Sequence, residues 1–174
     1  MGMLKAAART ALLEPSSAPK RLPLLLDRLD NVLPAVKESH MYAAFAALQL
    51  GPQGRVRHAL AGHSPILHYC HENGAFCELS LEQFPLGLIP NAHFAAMEID
   101  VEPGDLLLIA TDGILETCNP EDREFGTEGL RGCVESNPHA PLPQLAANIL
   151  AAAAKWGKQQ DDQTLLIVRC ISNS

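Results

Sequence analysis

Positive charge is scarce in this chain. Thirteen Lys and Arg face 20 Asp and Glu over 174 residues, a formal net charge of −7. Sequence-independent binding of nucleic acid needs a basic surface, so the charge argues against that class. It also disfavours an anionic membrane surface. Long apolar runs are missing: none approaches the roughly 20 residues of a bilayer-spanning helix. The opening Met1-Gly2-Met3-Leu4-Lys5 has no hydrophobic stretch and no cleavage signature, so nothing indicates export. Gly2 does not found a myristoylation site, because Lys5-Ala6-Ala7 does not complete that motif. Paired cysteines are lacking as well. Cys70, Cys77, Cys118, Cys133 and Cys170 are odd in number and scattered, which argues against disulfides and for a reducing cytoplasm. Cys70, His71, Cys77 and His63 follow no compact zinc spacing and read as buried thiols and solvent-facing imidazoles. Repeats, low-complexity tracts and long linkers are absent. With 47% apolar residues, 1–174 reads as a single domain with a real core.

Two apolar runs that end in acid stand out. Leu106-Leu107-Leu108-Ile109-Ala110 runs into Thr111-Asp112-Gly113-Ile114-Leu115-Glu116. Gln159-Gln160-Asp161-Asp162-Gln163-Thr164 runs into Leu165-Leu166-Ile167-Val168. An unbroken apolar run of this length predicts a strand covered on both faces. A carboxylate at its mouth would sit on a rigid platform, and two platforms side by side would suit a hard divalent cation. Taken singly, each has a plainer reading. Asp-Gly after a strand makes a turn, and Asp112 could cap the short helix that follows.

The breakers order the rest. An Ala-rich helix over Gly2 to Leu13 stops at Glu14-Pro15-Ser16-Ser17-Ala18-Pro19. A second helix places Leu22, Leu25, Leu26, Leu29, Val32, Leu33 and Val36 on one stripe, with Asp27, Arg28, Asp30 and Lys37 opposite. Strands are predicted over Met41 to Leu50 and Arg55 to Ala61 around Gly51-Pro52-Gln53-Gly54, and over Ile66 to Tyr69 and Ala75 to Leu79 around Glu72-Asn73-Gly74. Ala95 to Val101 alternates, and Glu102-Pro103-Gly104-Asp105 suits a type II turn. Helices over Thr127 to Glu135 and Leu142 to Trp156 precede the last strand. Hairpins grouped between helices predict an α+β fold, antiparallel sheet with helices packed outside.

In order, Ala61-Gly62-His63-Ser64-Pro65, Pro85-Leu86-Gly87-Leu88, Gly104-Asp105-Leu106 to Glu116, and Asp161-Asp162-Gln163-Thr164 form a series. The series resembles the metal-dependent serine/threonine phosphatases (protein phosphatase 2C-like), in particular the bacterial sporulation stage II E branch. Its pattern is AGHxP, PLG, GDxLLLxTDG and a terminal DDxT strand. Four motifs in register over 41–171 are far more specific than any one.

The resemblance implies an αββα sandwich of antiparallel sheets flanked by helices. It also implies two Mn²⁺ or Mg²⁺ ions whose shared water attacks a seryl or threonyl phosphate. By position, Asp112 and Asp161 would be metal ligands, with Asp162 a further candidate and Gly113 supporting the turn that aims Asp112. Repulsion between Asp161 and Asp162 would be relieved by a cation. His63 could donate a proton, against a turn-locking role. Ser64 replaces the family's usual Asn and Ala44 its Thr, with no expected effect on metal chemistry.

One departure bears on activity. The family's bridging aspartate lies in an upstream DVSGHG turn leading into an Ala-rich helix, and Met1 to Arg9 reads as the continuation of that helix. The expectation is a domain lacking its N-terminal strands, prone to self-association, with part of the two-metal site holding at most one ion weakly. The implied substrate is a phosphorylated regulatory protein in the cytoplasm, such as an anti-sigma-factor antagonist. Two alternatives remain: an inactive phosphatase-like binding module, and an unrelated α+β interaction or dimerisation domain.

Overall fold

In a computed structural model of the chain, residues 21–33 and 41–171 are described. They form two compact units: 21–33, 41–63 and 80–100 in the first, 64–79 and 101–171 in the second. The fold class is α+β, and every strand pair in both sheets is antiparallel.

The first unit packs helix α1 (Arg21–Val32) on a three-stranded sheet ordered β1 (Phe45–Leu50), β2 (Arg55–Ala61), β5 (Met97–Asp100). The 3.6-residue stripe is real. Leu22, Leu25, Leu26, Leu29 and Leu33 are buried in a cluster with Ala59, Ala61, Leu86 and Phe94, flanked by Phe45 and Ala47. Each such leucine removes enough apolar surface for roughly 1.5–3 kcal/mol. Val32 departs from the stripe and is 44% exposed. Val36, Lys37 and the Ala-rich Gly2 to Leu13 lie outside the described residues.

The expected polar face of α1 needs correction. Asp30 is only 3% exposed and accepts the Gly87 N–H at 2.6 Å, while Asp27 accepts the Phe94 N–H at 3.0 Å. The physical reason is accounting for donors: a loop laid against a helix buries N–H groups that need acceptors, and a carboxylate is a strong one. Periodicity within the helix cannot reveal partners 57 and 67 residues away. The Pro85-Leu86-Gly87 loop, bland in sequence, is thereby fastened to α1, and Leu86 also exchanges two backbone bonds with Ala43.

The second unit orders its strands β4 (Phe76–Leu79), β3 (Ile66–Tyr69), β6 (Leu106–Ala110), β7 (Leu165–Arg169). Helices α2 (Asp112–Leu115), α3 (Gly126–Ser136) and α4 (Leu142–Trp156) complete it. All five β6 residues are buried, as a central strand with a continuous apolar run should be. Leu106, Leu108 and Ala110 join Leu130, Val134, Leu145, Ile149 and Ala153 in one core, with Leu165 and Ile167 packed against it. The expectation for β7 was different. Among the described residues it is the last strand of its sheet, and Leu166 is 49% exposed. An apolar run alone cannot distinguish a central strand from an edge strand.

The turn into β6 is as expected: Asp105 N–H donates to the Glu102 carbonyl at 3.0 Å, with Gly104 at φ +100°. Asp105 itself is buried. Its carboxylate accepts the His71 N–H at 2.8 Å and the Glu102 N–H at 3.1 Å, and lies 2.9 Å from His68 Nε2. Burial pushes its pKa up, but the bonds from His71, His68 and Glu102 and the charge of His68 outweigh that and hold it below the ordinary carboxylate value.

Candidate metal centre

The β6–β7 register runs from Leu106 opposite Arg169 to Ala110 opposite Leu165, so the acidic ends of both strands emerge together. Side chains then tie the two turns to each other. Thr164 N–H donates to Thr111 Oγ1 at 2.9 Å, and the Thr111 hydroxyl donates to the Asp162 carbonyl at 3.2 Å. Gln163 returns the tie, its Nε2 donating to the Gly113 carbonyl at 2.9 Å. The backbones approach so closely that a Cβ on Gly113 would stand 2.4 Å from the Asp162 carbonyl oxygen and 2.9 Å from that of Asp161. Only glycine fits there.

Thr111, with extended φ/ψ of −77° and 162°, takes the position before α2 and makes no side-chain cap, its hydroxyl being engaged across the turn. Asp112 is therefore not the cap but the first helical residue. Its Oδ1 accepts the Ser64 hydroxyl at 2.9 Å. Asp161 Oδ1 accepts the Asp162 N–H at 2.7 Å. A cleft of about 60 Å³ opens between the turns, lined by Asp112, Gly113, Glu116, Thr117, Gln160 and Asp161. At roughly 10–15 Å³ per water it has room for a hydrated ion.

Asp112, Gly113 and Asp161 are thus brought together at one cleft. Asp162 touches the site through its backbone, and its side chain is not among the lining groups. His63 is half-buried beyond the end of β2 and belongs to the first unit, whereas the acidic turns belong to the second. Asp105 stands at the opposite end of β6, about 17 Å away for five residues at about 3.4 Å each, and its oxygens are engaged there.

Ser64, expected to have no bearing on metal chemistry, donates its hydroxyl directly to the Asp112 carboxylate, and sequence reasoning missed the stapling roles of Thr111 and Gln163. The alternating face of a strand end could have suggested Thr111. Nothing local ties Ser64 to a residue 48 positions later.

The donors suit a hard divalent cation in kind: carboxylate oxygens in a polar cleft, with a glycine where any side chain would fill the approach. Three carboxylates line the cleft without converging on one point. Among the described residues no three His, Cys, Asp or Glu side chains group closely enough to hold a metal. The arrangement fits part of a metal site. Among the described residues no helix is long and apolar enough to cross a membrane.

The family model for stage II sporulation protein E matches residues 1–171. Protein IcfG of Synechocystis sp. is 28% identical over 114 residues, which is 63% of this chain and 18% of that protein. The chain thus spans under a fifth of that relative. Among solved structures, the SiaA-PP2C domain of Pseudomonas aeruginosa superposes with a TM-score of 0.78 at 20% identity, over 97% of this chain and 68% of that one. The catalytic domain of the serine/threonine phosphatase PstP, in complex with two manganese ions, gives 0.72 at 13% identity, over 98% and 82%. The shared fold is that of PP2C-type phosphatase domains.

Proposed function

From its membership of the stage II sporulation protein E family, established by the match over 1–171, we propose that this chain contributes to metal-dependent dephosphorylation of phosphoserine or phosphothreonine on a regulatory protein. One observation carries the reading: Asp112 and Asp161, at the register-locked ends of β6 and β7, line a single cleft. Manganese or magnesium, when bound, supplies a water acidic enough to yield hydroxide near neutral pH. Asp112 and Asp161 would hold the ion through anionic oxygens. Gly113 lets the two turns close on it, and the Thr111 and Gln163 staples keep their separation constant. Pre-set separation matters because a misplaced ligand loses much of the affinity of a rigid site. The family suggests a cytoplasmic signalling protein as substrate.

Two carboxylates bind Mg²⁺ or Mn²⁺ weakly, and two-ion chemistry needs more anionic ligands than the described residues group together. A two-ion catalytic form would take further carboxylates besides Asp112 and Asp161. The same observation favours a second reading, a phosphoprotein-binding module that has kept the fold without turnover. The test is Mn²⁺-dependent hydrolysis of a phosphoserine peptide by this chain and by the full product of its native reading frame. The expected result is negligible turnover by 1–174 alone, turnover by the full product, and its loss in Asp112→Asn and Asp161→Asn. A full product that binds the phosphopeptide without hydrolysing it establishes the second reading instead.

A further inference from the structure

The backbone of Asp112 is held from both sides. Thr111 before it bonds to Thr164 and Asp162, and Gly113 after it lies against the Asp162 carbonyl and accepts Gln163. The freedom that remains is in the Asp112 side chain. Ser64, just past the turn that ends β2, takes up that freedom with a hydroxyl 2.9 Å from Asp112 Oδ1. We propose that Ser64 is a positioning residue for cation binding: its hydroxyl holds one carboxylate oxygen of Asp112, so that the carboxylate stays turned to the cleft with the other oxygen available to the ion. The proposal rests on the metal-centre reading above.

The chemistry requires a donor at this position. An ionised carboxylate only accepts hydrogen bonds, so the serine oxygen must contribute its proton. A bond from a neutral hydroxyl leaves the aspartate anionic, and thus still a ligand, while removing rotamers that point away from the cleft. Freezing a side chain before binding removes an entropy cost from the binding step itself. Groups that orient metal-ligating carboxylates typically change metal affinity by about 10–100-fold when removed.

Mn²⁺ titration of the 174-residue chain, followed by the electron paramagnetic resonance signal of free ion, tests this in wild type, Ser64→Ala, Ser64→Thr and Asp112→Asn. Thermal unfolding without metal is run on all four. Ser64→Ala is expected to weaken Mn²⁺ binding by about 10–100-fold with a metal-free melting temperature close to wild type. Ser64→Thr, which keeps the hydroxyl, should return affinity to within a few-fold of wild type. A merely structural serine would instead lower the metal-free melting temperature and leave the affinity alone. Wild-type affinity in Ser64→Ala, with binding lost in Asp112→Asn, overturns the positioning role and leaves the metal centre standing. Equal binding by wild type and Asp112→Asn overturns the metal centre and the role of Ser64 with it, and no binding by wild type overturns the proposal that Ser64 positions Asp112 for an ion in this chain.

Discussion

Substituting Gly113 by alanine adds one methyl group at the tightest point between the acidic turns. That Cβ would meet the Asp162 carbonyl oxygen at 2.4 Å, the Asp162 carbonyl carbon at 2.8 Å and the Asp161 carbonyl oxygen at 2.9 Å. Real Cβ contacts essentially never fall below 3.0 Å, so the backbone must separate by at least 0.6 Å. All three obstacles are main chain, and no flexible side chain can swing aside. Gly113 does not have a left-handed φ, so alanine meets no torsional objection and the whole cost comes from contact. Overpacking of this kind costs about 1–3 kcal/mol. At about 2–4 °C per kcal/mol for a chain of this size, the melting temperature should fall by roughly 2–12 °C. The same displacement pulls on the Thr111–Asp162 and Gln163–Gly113 bonds that set the Asp112–Asp161 separation, so Mn²⁺ affinity should fall too. Gly132→Ala is the control. Gly132 lies within α3 with nothing near its notional Cβ, and alanine there should stabilise by roughly 0.5–1 kcal/mol. Circular dichroism melts and Mn²⁺ titration read both variants. A Gly113→Ala protein that melts and binds metal like wild type would refute the close approach of the two turns.

Acid should destabilise the protein in two separate windows. His58 is 1% exposed on β2 with neither ring nitrogen bonded among the described residues, and burial pushes its pKa below 6.5. The unfolded chain therefore takes up that proton first, and stability falls as pH drops below about 6.5 towards the folded value. Asp105, held below 3.8, contributes stability that persists above about 3.8 and is lost as pH falls through its folded value. Melting temperature against pH reads both; His58→Leu should flatten the first window, and an unchanged slope there would contradict the assignment. Asp30→Ala leaves the buried Gly87 N–H without its acceptor and should cost roughly 1–3 kcal/mol in urea unfolding. A loss under about 0.5 kcal/mol, the range of ordinary surface changes, would show that water replaces the carboxylate.

Legibility followed the range of the interactions. The helix stripe of Leu22, Leu25, Leu26 and Leu29, the boundaries of α4, and the Pro103-Gly104 turn all depend on neighbours within a few residues, and all stand where their periodicity or turn chemistry put them. The strand-end motifs Thr111-Asp112-Gly113 and Asp161-Asp162-Gln163-Thr164 were legible for the same reason, since an apolar run and its polar terminus are contiguous. Val32 and Leu166 misled because an apolar side chain records what could be buried and not which face a partner covers.

Composition and periodicity by themselves determined the α+β class, the hairpin pairs and the pair of acidic turns, because each is encoded within one short segment. Only the tertiary structure decided which polar groups meet. Asp30 and Asp27 turned out to hold a loop from α1, Ser64 to touch Asp112 across 48 residues, and Gln163 to clasp Gly113 across 50. A hydrogen bond is specific to a distance and a direction that chain closure sets, and a polar residue reads the same in sequence whether it faces water or a buried donor.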